Sequence, residues 1–435
     1  MVEEKFDIVI VGAGIFGMAT AYHLQRNNPT KKILVLERLG QVGQANTALS
    51  AAAYRNMFTS KTNQLLSDSS INFYLHIQNN LKQNIEMEQI GYLWLLTEKQ
   101  FTDPSVENWL SNMEKNGIEY HVYDEKDLKQ KNPALVQSLK GDEEAEMMNL
   151  ESIKHGLFGP KCGVLSPTRL TEFYRDEYMK LSAVPPRFNI NVTGLLIEPI
   201  EKLDLPGEPY VWQDAQVSGV KTEAGEIHAD TTVVATGAWV NQLLDPVGIP
   251  SHIKAKKRQL FSIPAEGAEM RGLLNAKGFN SLGLSPFIIL PKGVYVRPVR
   301  QENAFWVGCA DKLNRAYKYL PTDDDLVGED PYFEQSIYPI LSKYLPPFLN
   351  MRPVNKWGGN YGYSFDNIPY VYESAGAIMV TGGSGSGVMK ADALGRIADA
   401  LYRGEKETVL YGGVPFPTHS LSITKREITV EDVII

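Results

Sequence analysis

Cysteine is nearly absent: the 435-residue chain has two, Cys162 and Cys309. They lie far apart and without metal-ligand spacing, so neither a disulfide framework nor a thiolate-held cluster is expected, and no metal site is assigned. A reducing, intracellular compartment fits best. Long apolar runs are missing too. The strong run at 287–290 is closed by Pro286 and Pro291 and is far too short to span a bilayer. The opening MVEEKFDIVIVGAG starts acidic and meets glycines after a few apolar residues, which argues against a secretory leader. A cytoplasmic protein without a transmembrane segment is therefore expected, with peripheral attachment to a membrane left open. Basic charge is in deficit, 43 Lys and Arg against 51 Asp and Glu, for a formal charge of −8. That argues against a nucleic-acid partner, which would select a basic face. One basic run dissents: Lys254, Lys256, Lys257 and Arg258 form either a solvated strand face or a dock for an anionic partner. Repeats and low-complexity tracts are also lacking, and the length exceeds one ordinary core, so two domains are expected.

What is present begins with FDIVIV at 6–11, nearly all apolar and β-branched, as a parallel strand covered on both faces reads. GAGIFG follows, then a helical pattern that ends before Pro29, then KKILVLER. This is a βαβ unit. Gly12 permits the tight turn, Gly14 lets the backbone approach a pyrophosphate, and Gly17 lets helix and strand pack closely; Ile15 and Phe16 complete the turn. Glu37 lies 20 positions beyond Gly17, where an acidic residue reaches ribose hydroxyls, with Arg38 beside it. The spacing specifies a dinucleotide and does not separate NAD from FAD. Downstream, Ala45, Thr47, Ser50, Ala51 and Ala52 form a small-residue stretch that either admits a large ligand or starts a close-packed helix.

Further on, IGYLWLLT (90–97) reads as a strand and 166–181 as a helix. The charged segment 121–155 reads as an exposed surface loop. Residues 216–240 read as a hairpin turning at Ala224 and Gly225 and feeding a buried strand. That strand ends at Ala235, Thr236, Gly237 and Trp239, offering bare backbone at a carboxyl edge, where ligands of open α/β sheets collect. Residues 251–310 alternate apolar and polar, which predicts a mostly antiparallel sheet. Near the end, TGGSGSGVMKADALGRIADAL repeats glycine at alternate positions before a helix. Too little chain remains for a second mononucleotide unit, so both glycine runs serve one ligand or two.

The fingerprint GAGIFG, the stretch VSGVKTEAGEIHADTTVVATGAW, the approach NIPYVYE and the ending GGSGSGVMKADALGR together resemble the D-amino-acid oxidase superfamily of FAD-dependent oxidoreductases, over nearly the whole chain. Within that superfamily, FIILPKGVYVRP, SFDNIP and LYGGVPFP look like the archaeal dye-linked L-proline dehydrogenases. The resemblance implies an α/β fold (α+β overall): a Rossmann-like FAD-binding domain (1–87, 160–240 and 352–412) interleaved with a substrate domain on a mostly antiparallel sheet (88–159 and 241–351), then a C-terminal tail (413–435). It implies one FAD, its phosphates at the first glycine run and Val192 along its path. The flavin would meet Gly383, Ser384, Gly385 and Gly387, with Val388, Met389 and Lys390 along the ring edge. The chemistry implied is oxidation of an amino acid's carbon–nitrogen bond by hydride transfer to flavin N5, with L-proline the first substrate. Arg55 is the candidate carboxylate clamp and Arg297 its alternative; Tyr361 matches a pocket tyrosine. Where monomeric sarcosine oxidases bond flavin to a cysteine this chain has Gly359, which implies noncovalent FAD. Where those oxidases place an oxygen-activating lysine the register offers Met389, with Lys390 next. A dehydrogenase using a quinone or redox-protein acceptor is therefore expected over an oxidase. A hydroxy-compound oxidoreductase and a flavin-binding assembly factor are the competing readings.

Overall fold

The computed structural model describes residues 4–311, 313 and 315–431. Strand β1 (Lys5–Val11) pairs in parallel with β2 (Ile33–Leu36) on one side and with strand Gly225–Val234 on the other. That strand pairs in parallel with Ala377–Thr381, which carries Tyr370–Ser374 antiparallel at the edge; the hairpin Val192–Pro199 and Ala215–Thr222 completes a seven-stranded sheet. Helix α1 (Ile15–Asn27) links β1 to β2 and is buried from Ile15 to Gln25 because helices on both sides cover it. Gly395 of helix Ala391–Tyr402 crosses it so closely that a Cβ there would lie 2.7 Å from the Ala19 carbonyl oxygen. Apolar side chains from both faces of the sheet form separate core layers, as a strand set covered on both sides requires.

The second sheet has eight strands, in the order Asn355–Tyr363, Lys254–Pro264, Ala304–Cys309, Val294–Val299, Phe287–Ile289, Tyr92–Thr97, Ile153–Gly159 and His121–Tyr123. All its pairs are antiparallel except Phe287–Ile289 with Tyr92–Thr97. One face carries the core of Phe261, Ile288, Val296 and Phe305 under helices; the other carries Tyr92, Trp94, Phe287 and Tyr295, with Trp94 edge-on against Trp109 of helix Pro104–Lys115. Strand Asn355–Tyr363, which the sequence groups with the closing dinucleotide segment, pairs with Lys254–Pro264 of this second sheet.

Several expectations need correction. The segment 121–155 is no plain loop: it contributes strand His121–Tyr123 and helices Glu125–Lys131 and Glu143–Met147, and Leu128 and Ala145 enter the core. The basic run is not a solvated face either. Lys256 and Arg258 are buried because their strand lies inside the sheet, and the side chains pair there: Arg258 with the Asp311 carboxylate and Tyr363 Oη, Lys256 with the Asp311 carbonyl at 3.1 Å. In the closing segment Arg426 and Glu431 are buried. Among the described residues no helix is long and apolar enough to cross a membrane.

Candidate active site

β1 ends at Val11 and the chain turns at Gly12, whose φ of +102° suits glycine and where a Cβ would strike the Ala235 carbonyl oxygen at 2.8 Å. At Gly17 a Cβ would lie 1.8 Å from the Gly12 carbonyl oxygen, so α1 can settle onto the turn only without a side chain there. Glu37, just past β2, accepts the Ala13 N–H at 2.8 Å through Oε2 and the Leu39 N–H at 3.0 Å through Oε1. Each oxygen keeps acceptor capacity for a ribose hydroxyl. Thr47 Oγ1 accepts the Ile15 N–H at 3.2 Å, which holds the small-residue stretch against the first helical turn. Arg38 lies 4.7 Å over the Trp239 ring.

From this turn a single cavity runs to the closing glycine run. Gly382, Ser384 and Gly385 all have positive φ (76°, 46° and 80°), folding the backbone so that it, rather than side chains, forms the wall. The two runs touch: a Cβ on Gly387 or Gly383 would lie 2.8 or 3.1 Å from Phe16 Cζ. Strand Asn355–Tyr363 supplies Asn360 and Tyr361, tied to the small-residue stretch by the Asn360 N–H donating to Asn46 Oδ1 at 2.8 Å. Beyond lies an aromatic floor from the second sheet. Tyr92 and Phe287 stack at 4.3 Å and 4°, and Phe287 and Tyr295 at 5.3 Å and 24°.

Arg55 stands at this end. Its Nη1 donates to the Met57 carbonyl at 2.5 Å and its guanidinium lies 4.0 Å over Phe58. Burial pushes its pKa down, opposed by the Glu431 carboxylate. Its backbone N–H points at Met389 Sδ, 3.3 Å away.

Of the residues assigned from sequence, the cavity wall gathers Gly12, Gly14, Ile15, Phe16, Glu37, Arg38, Ala45, Thr47, Ser50, Ala51, Ala52, Val192, Ala235, Thr236, Gly237 and Trp239 from the first sheet's side. It also gathers Gly383, Ser384, Gly385, Gly387, Val388, Met389, Arg55 and Tyr361. Four assignments lie off the wall. Gly17 is under the turn, and Gly359 faces Asn46 and Leu49, off the wall that its strand neighbours Asn360 and Tyr361 join. Lys390 is fully buried behind the wall, its Nζ donating to Asn63 Oδ1 at 2.7 Å and Ser386 Oγ at 2.6 Å. Arg297 lies outside the wall, 4.4 Å over Trp306, and burial pushes its pKa down to about 10. Tyr92, Phe287 and Tyr295 join the wall without having been singled out by their local sequence, although VYVRPV, alternating valine with Tyr and Arg, marks one face of its strand as different.

The cavity fits a flavin dinucleotide in its own polar groups. Thr236 Oγ1 and Asn360 Nδ2 line it, are buried and have no protein partner among the described residues, whereas buried polar groups in folded proteins are normally hydrogen-bonded. They await a polar ligand beside walls of bare backbone. A parallel sheet with a glycine turn at its carboxyl edge, an acid after the second strand and a cavity leading to a second sheet define a dinucleotide-binding oxidoreductase.

The FAD dependent oxidoreductase (DAO) family model matches residues 7–401, and the chain belongs to that family. FAD is its cofactor. Among curated relatives, the FAD-dependent oxidoreductase domain-containing protein 1 of Xenopus laevis is 23% identical over 443 residues, 93% of this chain and 81% of that protein. Among solved structures, L-proline dehydrogenase from P. horikoshii superposes with a TM-score of 0.74 at 20% identity, covering 97% of each chain. Glycine oxidase from Geobacillus kaustophilus gives 0.73 at 16%, covering 98% of this chain and 100% of that one. At these identities the structural likeness establishes the fold.

Proposed function

We propose that this protein is a cytoplasmic FAD-dependent amino-acid dehydrogenase that oxidises a secondary-amine amino acid, L-proline first, and passes electrons to a quinone or redox protein rather than to oxygen. The observation that carries the reading is the pairing, at one end of the cavity, of a buried guanidinium with a floor of stacked aromatic rings. An amino acid with a compact apolar ring matches both parts. Similarity to a proline dehydrogenase and a glycine oxidase supports the same class of substrate.

Bound FAD supplies the hydride acceptor that turns an amine's carbon–nitrogen bond into an imine. The chain's own residues bind and orient. Arg55 takes the carboxylate through its planar fork, and low surrounding polarity strengthens that ion pair. Its bond to Met57 and its stacking on Phe58 hold the guanidinium still, so little freedom is lost on binding. Tyr92, Phe287 and Tyr295 receive the apolar ring, and Tyr361 closes the pocket. Such positioning lowers a barrier by several kcal/mol, roughly up to the 7–11 kcal/mol known for well-oriented groups.

No cysteine or histidine lines the cavity among the described residues, which supports noncovalent FAD. No lysine lines it either, and Met389 is on the wall where the resemblance puts the flavin edge, which supports a dehydrogenase over an oxidase. Anaerobic mixing tests the proposal. L-proline should bleach the yellow flavin faster than sarcosine, glycine, D-amino acids or 2-hydroxy acids. Bleaching by hydroxy compounds alone, or by no small reductant, sinks the amine assignment. Rapid hydrogen peroxide formation at near-stoichiometric yield sinks the choice of acceptor.

A further inference from the structure

The closing segment ties the loop after strand Asn355–Tyr363 to the chain that follows Arg55. Arg426 pairs with Asp366 and donates to the carbonyls of Ile368 and Pro369, in the loop that follows strand Asn355–Tyr363. The Glu431 N–H donates to the Asp366 carbonyl at 3.0 Å, and Asn367 Nδ2 to the Glu431 carbonyl at 3.0 Å. The Glu431 side chain, 1% exposed, then reaches the start of the helix that follows Arg55. Its Oε1 accepts the Thr59 N–H at 3.0 Å and Thr59 Oγ1 at 2.8 Å; its Oε2 accepts the Ser60 N–H at 2.9 Å and Asn63 Nδ2 at 3.3 Å. These groups begin helix α2 (Lys61–Asn79), where a negative charge is favoured by the helix dipole. Asn63 passes the connection on: its Oδ1 accepts from Lys390, which also donates to Ser386 on the cavity wall.

We propose that Glu431 is a positioning residue for the amino-acid end of the cavity. Through Thr59 and Ser60 it fixes the segment that carries Arg55, and through Asn63 it holds Lys390 against Ser386, so the cationic wall that receives a substrate carboxylate is set by the closing segment. This rests on the reading that a carboxylate binds there. A buried carboxylate with the four hydrogen bonds above, on a segment none of whose described residues lines the cavity, is costly to keep unless it organises what it touches.

The charges facing Lys390 give the test. Glu431 from the closing segment and Asp366 from the loop favour its ammonium form, Arg55 opposes it, and burial brings its pKa down to about 7. Asn63 and Ser386 contribute neutral oxygens, and Phe58 places its ring 4.5 Å from Nζ. Losing Glu431 removes a support of the ammonium, so the Lys390 midpoint must move to lower pH.

In the FAD-bound protein, the 13Cε resonance of Lys390, assigned by its loss in K390M, is followed against pH in wild type, E431Q and E431D. The midpoint in E431Q is expected about one pH unit lower, the size of shift a nearby buried charge produces. E431D, which keeps the charge, should stay close to wild type, and it answers the question if the amide variant does not fold. In parallel, the affinity for benzoate is read from its perturbation of the flavin spectrum. Its pH midpoint should fall with that of Lys390 in E431Q, while the FAD dissociation constant stays within about twofold of wild type. A merely structural glutamate would lower the melting temperature and leave both midpoints in place, and that result overturns the inference. If wild type binds no benzoate while E431Q still moves the Lys390 midpoint, the carboxylate-site reading fails and the hold of Glu431 on Lys390 stands.

Discussion

Arg55 and Arg297 are both buried guanidiniums near the aromatic floor, yet their surroundings assign them different work. Arg55 reaches the cavity and is held by Met57 and Phe58; Arg297 lies outside the wall with Nε and Nη1 unpartnered among the described residues. R55K loses the planar fork, so KM for the amino acid should rise about 10- to 100-fold, the loss of roughly 1.5–3 kcal/mol expected for a charge-assisted hydrogen bond, with FAD affinity unchanged. R297M removes a buried cation with which no carboxylate pairs among the described residues, so it should raise the melting temperature and leave KM near wild type. A KM effect larger than that of R55K would transfer the clamp to Arg297. Lys390 adds a pH signature. Its folded pKa, about 7, lies below that of a free lysine at 10.5. Between those values the unfolded chain holds a proton the folded one has released, so stability rises with pH across the window. The melting temperature of wild type relative to K390M should therefore be least favourable below pH 7 and improve toward pH 10.

The glycines act as parts of elements, and here the sequence could be read furthest. The first βαβ unit, the hairpin, whose turn falls at Glu223 and Ala224, one residue before the expected Ala224 and Gly225, and the closing helix were legible because each declares itself within a few residues, through apolar runs, glycine spacing and an acid at the right distance. Four things were not. The aromatic floor escaped because strand Tyr92–Thr97 is buried on both faces, so no polar alternation shows which face meets the cavity. The burial of Lys256 and Arg258 depends on Asp311 and Tyr363, which no local pattern connects to them. Glu431 looks like any acidic residue near a terminus until the fold sets it beside Thr59 and Asn63. Contact between Phe16 and the late glycines was equally invisible, and it is testable. G387A should weaken FAD binding by driving a methyl into the Phe16 ring, and F16L should relieve part of the loss. A double-mutant cycle should show coupling of about 1 kcal/mol, as contacting residues do; additivity would mean the ring simply moves aside.

At the scale of the whole molecule, the cavity is bounded by both sheets, by α1 and by the closing glycine run. Bound FAD should therefore stabilise the entire protein. Stripping the flavin should lower the melting temperature, and returning it at 100 times its dissociation constant should restore about 2.7 kcal/mol by mass action. Protection from proteolysis should return together in the segments around Arg55 and Gly387. A recovery confined to the first βαβ unit would contradict a cavity shared by both ends of the chain.

The seat of Phe16 between Gly383 and Gly387 also bears on how the protein is made. During synthesis the first strand and helix leave the ribosome early, while β1 still lacks the neighbour strand Gly225–Val234 and Phe16 has no partner. Until translation passes residue 387, this half-built sheet carries an open edge and an uncovered ring, the state in which nascent chains are most prone to clump. Flavin capture should therefore come late in biogenesis, and a ribosome stalled before that codon should display a chain that chaperones hold and that binds no FAD.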